Sequence, residues 1–505
     1  MTRHHHANGD HRHDGDGHQH GGNHFDLAAA ARRIVQARGF EPDIDEAAKQ
    51  QLASLRAPAP TDPGIRDLRD LPWSSIDNTE SRDLDQVEVA EKTSDGCIRL
   101  VVGIADVDAL VSKGSPLDQH AYANCTSVYT GIAVFPMLPE KLSTGLTSLN
   151  EDEERAALAI ETVVNAAGDV VSFDVYRAML RNRAKLAYGE VGEWLAGGSP
   201  PQKVAQDKQL AEQLALQHEA AKRLKAERLR NGALDLETIE ATPVAKDGRI
   251  VDLAVVHKNA ARDLIEDFMI ASNLAIAKWL EAHGRSGIRR VVREPERWGR
   301  IVELAARYGT TLPADPDSLA LARFLAERRT ADPERFADLS LSIVKLMGPG
   351  IYALDLPGKD PGGHFGLAVH DYSHATAPNR RYADLVTQRL VKATLAGSPP
   401  PYANDELADI AARCTEREDA ENKVERTVRK TAAALLLHDR IGQSFDAIVT
   451  GATPHGTFVR TLHPPAEGMV VRHAEGFDVG DRVRVKLVST DPYKGYIDFE
   501  GQGER

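Results

Sequence analysis

Hydrophobic positions change their period three times along this chain. From Phe25, the stretches FDLAAAARRIVQARGF and DIDEAAKQQLASLR carry apolar residues at helical spacing, each closed by Gly or Pro chemistry, and predict a short helical extension over 25–65. A segment rich in Pro and Asp, APAPTDPGIRDLRDLP at 57–72, then separates that extension from a long central body. Around VEVAEK, IRLVVGIADV and ALAIETVV the pattern alternates as the strands of a sheet do. Beyond them Leu210, Leu214, Ala221 and Leu224 recur at helical spacing up to Asn231-Gly232, predicting one amphipathic helix over 202–230. Further helices fit 260–283, 299–308, 316–328, 337–347, 380–396 and 404–438. From about Ile441 short β runs return between Gly, Pro and Asp turns, the pattern of a small five-stranded barrel of the OB-fold kind. The expected fold class is therefore α+β, with a large body over 66–438 and a barrel over 441–505.

Composition adds limits. The 505 residues suggest roughly three domains. They hold 62 Lys plus Arg against 75 Asp plus Glu, a formal charge of −13, which excludes non-specific coating of nucleic acid through bulk charge. Cys97, Cys125 and Cys414 form neither a disulfide framework nor a CxxC zinc pattern, so a reducing cytoplasm is expected. No apolar run spans a bilayer and no apolar h-region opens the chain, so no membrane is expected as a partner. Residues 1–24 contain eight histidines and almost nothing to bury, predicting a disordered tail. Such tracts can bind divalent metal, but a low-complexity leader is the plainer reading.

The chemistry concentrates at 71–91, LPWSSIDNTESRDLDQVEVAE. From Asp77 to Glu91 it sets six acids against Arg82, a local charge of −5. Alternation from Val87 to Ala90 turns Glu88 toward solvent, leaving Asp77, Asp83 and Asp85 on an irregular loop. Hard oxygen donors of this kind suit Mg²⁺, with Mn²⁺ possible, and such a cation also takes phosphate oxygens. A solvated acidic loop explains the same text if it stands alone.

It does not stand alone. SSIDNTESRDLDQ is similar to the T-I-D-x-x-x-x-x-D-x-D-D metal loop of the RNB family, the hydrolytic 3′-to-5′ exoribonucleases of the RNase II and RNase R type. IADV, SPLD, TSVY, PMLP, TSLN, LIEDFM, HFGL and HATAPNRRYADL follow in that family's order between about Leu71 and Lys430. The closing HGTFV and VGDRVRVKL resemble the S-one type OB domain that ends many members. The resemblance implies an RNB catalytic domain that degrades single-stranded RNA to nucleoside 5′-monophosphates, with no obligate protein partner. Members commonly carry two cold-shock barrels before the body; the residues ahead of it here leave room only for the helical extension, so the extension and the terminal barrel are expected to share the channel entrance.

Carried over residue by residue, the resemblance puts Asp77, Asp83 and Asp85 on three of four metal-site aspartates, with Gln86 at the fourth. A glutamine carbonyl carries no charge, so it implies a weaker cation site, and the alternative is an RNA-binding or scaffold protein with weakened or lost activity. Arg380 matches the arginine that steadies charge on the scissile phosphate, and its neighbour Arg381 either joins it or only structures the helix start with Asp384. Tyr129 matches an aromatic that stacks on the terminal nucleotide. Glu425 and Glu266 are the candidates for RNA-over-DNA choice, and no aromatic stands out near GALDLETIEATPVA for a second clamp. His364 is expected to be structural. In the barrel His455 and Phe458 occupy a strand that presents stacking rings, whereas Phe445, Tyr493 and Phe499 could equally be core. Basic stretches at 222–230, 285–300 and 423–430, carrying +4, +4 and +3, suggest a funnel of positive charge around the acidic loop.

Overall fold

The structure is a computed structural model and describes residues 26–56, 64–237, 239–246, 249–256, 258–453, 456–477 and 479–502. The His-rich segment 1–24 and residues 57–63 of the Pro-rich junction lie outside the described residues.

Two helices open the described chain, α1 (Leu27–Ala37) and α2 (Glu46–Ser54). Asp26 and Asp45 cap them, their carboxylates accepting from Ala29 N and Ala48 N and so satisfying amides that no helical carbonyl can reach. Neither helix stands apart from the body. Ala48 is fully buried in the main core, and Ala31, Val35 and Phe40 pack on Val424 and Val428 of a long helix near the other end of the chain. The extension read from the sequence is an integral wall.

A seven-stranded sheet follows. Its members are β1 (Arg66–Asp67), β2 (Ser74–Asp77), β3 (Gln86–Lys92) and β4 (Ile98–Ala105). After α3 (Pro116–Asn124) and a small hairpin, β5 (Val128–Tyr129) with β6 (Val134–Phe135), come β7 (Glu154–Val164), β8 (Val170–Arg181) and β9 (Ala184–Ala187). The order is β1-β8-β7-β4-β3-β2-β9, antiparallel through β3, β4, β7 and β8 and parallel at β1 with β8 and at β2 with β9. Gly103 lets the layers close: a Cβ there would sit 2.5 Å from Leu180 Cδ2 and 3.2 Å from Val87 Cγ2.

Helices cover the sheet: α4 (Tyr188–Leu195), α5 (Gln202–Gln206), α6 (Lys208–Arg230) and, after the ribbon β10 (Glu240–Lys246) and β11 (Arg249–Val256), α7 (Ala260–Ala282). The single helix expected over 202–230 is two. Asp207 ends the first and caps the second, accepting from Gln209 N and Leu210 N. Gln213 and Gln217 of α6 reach β3 where β2 stops pairing, bonding both backbone groups of Ala90 and the carbonyl of Glu88. This cover reverses the expectation for Glu88, which is 0 % exposed.

The chain continues through β12 (Gly287–Val291), α8 (Trp298–Arg307), α9 (Ser318–Ala331), α10 (Pro333–Met347), β13 (Ile351–Asp355), α11 (Tyr382–Leu395) and the 34-residue α12 (Asn404–Leu437). Helices α8 to α10 keep a core of their own around Trp298, Phe324 and Phe336. Last, β14 (Ser444–Thr453), β15 (Gly456–Thr461), β16 (Glu467–Arg472), β17 (Arg482–Asp491) and β18 (Tyr496–Gln502) close a barrel in the order β14-β15-β16-β18-β17. Phe445 and Phe499 fill it, and Ala433, Ala434 and Leu437 of α12 join the same core. The expected α+β body with a carboxy-terminal five-stranded barrel is the observed architecture. Among the described residues no helix is long and apolar enough to cross a membrane.

Candidate active site

The acidic loop leaves β2 at Asp77 and enters β3 at Gln86, and the TSLN segment pins it in between. Ser148 Oγ accepts from Leu84 N at 3.0 Å and donates to the Arg82 carbonyl, while Leu149 N donates to the Leu84 carbonyl. Arg155 Nε in turn holds the Ser148 carbonyl at 3.1 Å. Asp77 Oδ1 accepts from Ser81 Oγ at 2.8 Å. Tyr129, on the hairpin, donates its phenol to Asp83 Oδ2 at 2.6 Å.

Asp85 lies deepest, with 1 % of its surface exposed. Its Oδ1 accepts from Asn379 N at 3.0 Å, and its Oδ2 is 3.3 Å from Arg380 Nε but takes no hydrogen bond. Burial pushes this carboxyl up to about 7, against the pull of Arg380 and the Asn379 amide. The HATAPNRRYADL segment presents Asn379 and Arg380 from a turn just ahead of α11. Thr147 Oγ1 holds the Asn379 side chain at 2.6 Å, and the Arg380 carbonyl accepts from Ser127 N.

A cavity of about 180 Å³ opens beside this pair, walled by Tyr129, Arg380, Arg381, Cys125, Glu418 and Glu421. Arg381 forks onto Asp384 at 2.7 and 2.9 Å, so its guanidinium is already engaged at the start of α11. Glu418 receives a fork from Arg290 at 2.5 and 2.7 Å. Burial, together with the neighbouring Glu425, drives the Glu421 carboxyl well above the usual range.

Sequence reasoning and geometry part at several residues. Glu425 stands one turn beyond Glu421 and touches the cavity only through it. Glu266 points outward from α7, exposed, with Lys258 Nζ 3.4 Å away. Gln86 is buried at the start of β3. His364 accepts from Leu367 N, and burial lowers its imidazole to about 4, so it is neutral and structural. Phe458 is exposed on β15, Phe445 and Phe499 are core and Tyr493 is exposed; His455 lies outside the described residues. The funnel of positive charge is reduced by internal pairing. Lys225 and Arg228 pair with Asp263 and Asp267, Arg289 with Asp355 and Asp371, and Arg290 with Glu418. Lys423 and Arg426 of α12 do stay exposed.

Asn379, Glu418, Glu421 and Tyr188 were missed. A signal existed for the glutamates, because 418, 421 and 425 fall on one helical face. Tyr188 lies under the Arg262 guanidinium, 4.5 Å from its ring, and feels the charges of Asp77 and Glu88. Nothing in its local text marks it.

The donor set suits a divalent cation. All candidates are hard oxygens, and Asp85 Oδ2 is buried without a hydrogen bond, open to a metal. Among the described residues no three Asp, Glu, His or Cys side chains converge as a ready cage, so a cation here would draw its remaining ligands from water and substrate, as Mg²⁺ commonly does.

The RNB domain model matches residues 65–397, and the model of the RNase II-type exonuclease C-terminal S1 domain matches 443–502. The chain is 30 % identical over 500 residues to Ribonuclease R of Escherichia coli, covering 90 % of this chain and 60 % of that protein. It is 29 % identical over 468 residues to Ribonuclease R 1 of Lactococcus lactis, covering 86 % and 56 %. The chain thus spans well under two thirds of the length of either relative. Its fold is similar to that of Mycoplasma genitalium RNase R in complex with ribose methylated single-stranded RNA, with a TM-score of 0.85 at 23 % identity over 95 % of this chain and 78 % of that one. Two thirds of the chain falls within a single family model, and the chain belongs to the RNB domain family.

Proposed function

We propose that the chain is a hydrolytic 3′-to-5′ exoribonuclease that degrades single-stranded RNA to nucleoside 5′-monophosphates. The observation that carries this reading is the pairing of buried Asp85 with Arg380 at the edge of a small half-open cavity. The Arg380 guanidinium is shaped to meet two phosphate oxygens. In the reaction a water oxygen bonds to the phosphorus of the terminal phosphodiester. The P–O3′ bond breaks, the 3′ oxygen of the shortened strand takes up a proton, and the departing nucleotide keeps the 5′-phosphate. Asp85 and Asp83, with Asp77 alongside, would hold a divalent cation, Mg²⁺ or Mn²⁺, which would supply Lewis acidity and a more acidic water. Asn379 N and Arg380 orient Asp85, and the Tyr129 phenol fixes Asp83, leaving its ring to stack on the terminal base. Glu421, backed by Glu425, faces the ribose, where only RNA offers a 2′-hydroxyl.

Support for RNA as substrate comes from the likeness to Ribonuclease R proteins and from the barrel, where exposed Phe458 offers a ring to single-stranded bases. On this reading the chain divides into an extension over 25–65, a catalytic body over 66–438 and an RNA-binding barrel over 441–505. A cytoplasmic setting suits Cys97, Cys125 and Cys414, all free thiols.

The test is digestion of a 5′-labelled single-stranded RNA, with and without Mg²⁺, beside Asp85→Asn and a DNA of the same sequence. A ladder shortening from the 3′ end, dependent on Mg²⁺ and absent for the variant and for DNA, is expected. Retained binding with no cleavage by the wild-type chain would instead establish an RNA-binding protein.

A further inference from the structure

Glu88 is the most isolated acid among the described residues. It is 0 % exposed, and neither Oε1 nor Oε2 has a hydrogen-bond partner. A buried carboxyl normally ends on an arginine, an amide or a hydroxyl, because leaving it unpaired forfeits its hydration with no return. Its own strand shows the contrast: Glu91 of β3, at the solvent end, is paired with Arg99 at 2.6 Å.

Where Glu88 points supplies the reason. It is two residues along β3 from Gln86, so the two side chains leave the same face of the sheet. Across the ladder it stands opposite Ser74, the first residue of the strand that ends at Asp77. Besides its burial, the charge acting on it is that of Asp77, and the Tyr188 phenol feels both acids. Gln86 is the neutral residue of the acidic loop at the position where the family pattern has a fourth aspartate. Two positions on, one buried carboxylate without partners faces the same way, on a side chain longer by one methylene.

We infer that Glu88 supplies to the cation site the carboxylate that position 86 lacks. The charge of the site is then conserved while its donor is moved two residues along the strand, and the vacant oxygens of Glu88 are ligand positions rather than a packing fault. This inference rests on the proposed cation site, and the experiment separates the two.

Mn²⁺ is the probe, titrated into the full chain in the absence of RNA, with free Mn²⁺ read by its electron paramagnetic resonance signal. Glu88→Gln should weaken Mn²⁺ binding by about tenfold or more, the scale on which a metal's supporting groups act. Adding Gln86→Asp to Glu88→Gln should recover most of the affinity, since it returns the charge to the other position. Glu88→Met, similar in size and apolar, takes the place of the amide variant if that one does not fold. Unchanged Mn²⁺ affinity in Glu88→Gln overturns the inference. So does a double variant with no recovery, which would mark Glu88 as a structural acid. A wild-type chain that binds no Mn²⁺ would fail the cation site itself.

Discussion

Arg380 and Asp85 are opposite charges 3.3 Å apart, the carboxyl buried and the guanidinium half exposed, and each sets the state of the other. Arg380 lowers the cost of ionising a buried carboxyl, and Asp85 keeps the guanidinium aimed at the cavity. Arg380→Ala should therefore lower kcat by roughly 10²- to 10³-fold, the usual loss for one preorganised donor to developing charge, and Arg380→Lys should restore little because a lysine cannot fork. Single-turnover cleavage of a labelled strand measures both. Asp85 also predicts a pH dependence. Its folded-state value is raised from 3.8 to about 7, so the native protein holds a proton that the unfolded chain has released in that window. Metal-free wild type should then lose stability relative to Asp85→Asn as pH rises from about 4 to 7, with a constant difference above that. Denaturant titrations in chelator across this range would show it, and parallel pH profiles would disprove it. These two residues were legible because each sits in a dense motif, and the structure brings both motifs together. Glu421 was not, because Glu425 occupies the same helical face one turn on and only packing decides which of them reaches the cavity.

Elements were read best where the pattern was long and regular. The strands β3, β4 and β7 and the helices from α7 to α12 fall close to where periodicity puts them. The failures have separate physical causes. β8 mixes Asp174 and Arg177 into its run and so hides its alternation, although it is the longest strand of the sheet. The break at Asp207 depends on a capping carboxylate within a sequence that otherwise reads as continuous helix. Glu88 was assigned to solvent from strand alternation alone, which reports two faces and cannot say that α6 covers one of them. The same dense covering makes a prediction for the sheet. Gly103→Ala should destabilise the protein by about 1–3 kcal/mol through overpacking against Leu180 and Val87. A shift in the midpoint of chemical denaturation measures this, and no shift would mean that the layers can separate freely.

Across the whole molecule the charge of −13 remains, and the paired arginines show why local sums mislead. Lys225, Arg228, Arg289 and Arg290 are spent on carboxylates inside the fold, so part of the +4 at 222–230 and at 285–300 is not free to guide a strand. The exposed Lys423 and Arg426 on α12 stay available, one turn from the cavity wall. Replacing either with Ala should reduce the dependence of log affinity on log salt by about 0.7 for single-stranded RNA. Binding isotherms at several salt concentrations test this, and an unchanged slope would remove these two residues from the RNA path. The family and architecture were legible from ordered motifs, whereas the pairing of distant charges was not, because nothing local encodes a partner a hundred residues away. Helix α12 has one more consequence. The same rigid rod carries Glu421 at the cavity and Leu437 in the core of the barrel, so at 1.5 Å per residue the two are held roughly 24 Å apart. On the proposed reading this spacing would act as a ruler: a strand shortened past that reach would lose its hold on the barrel while its end still occupied the cavity.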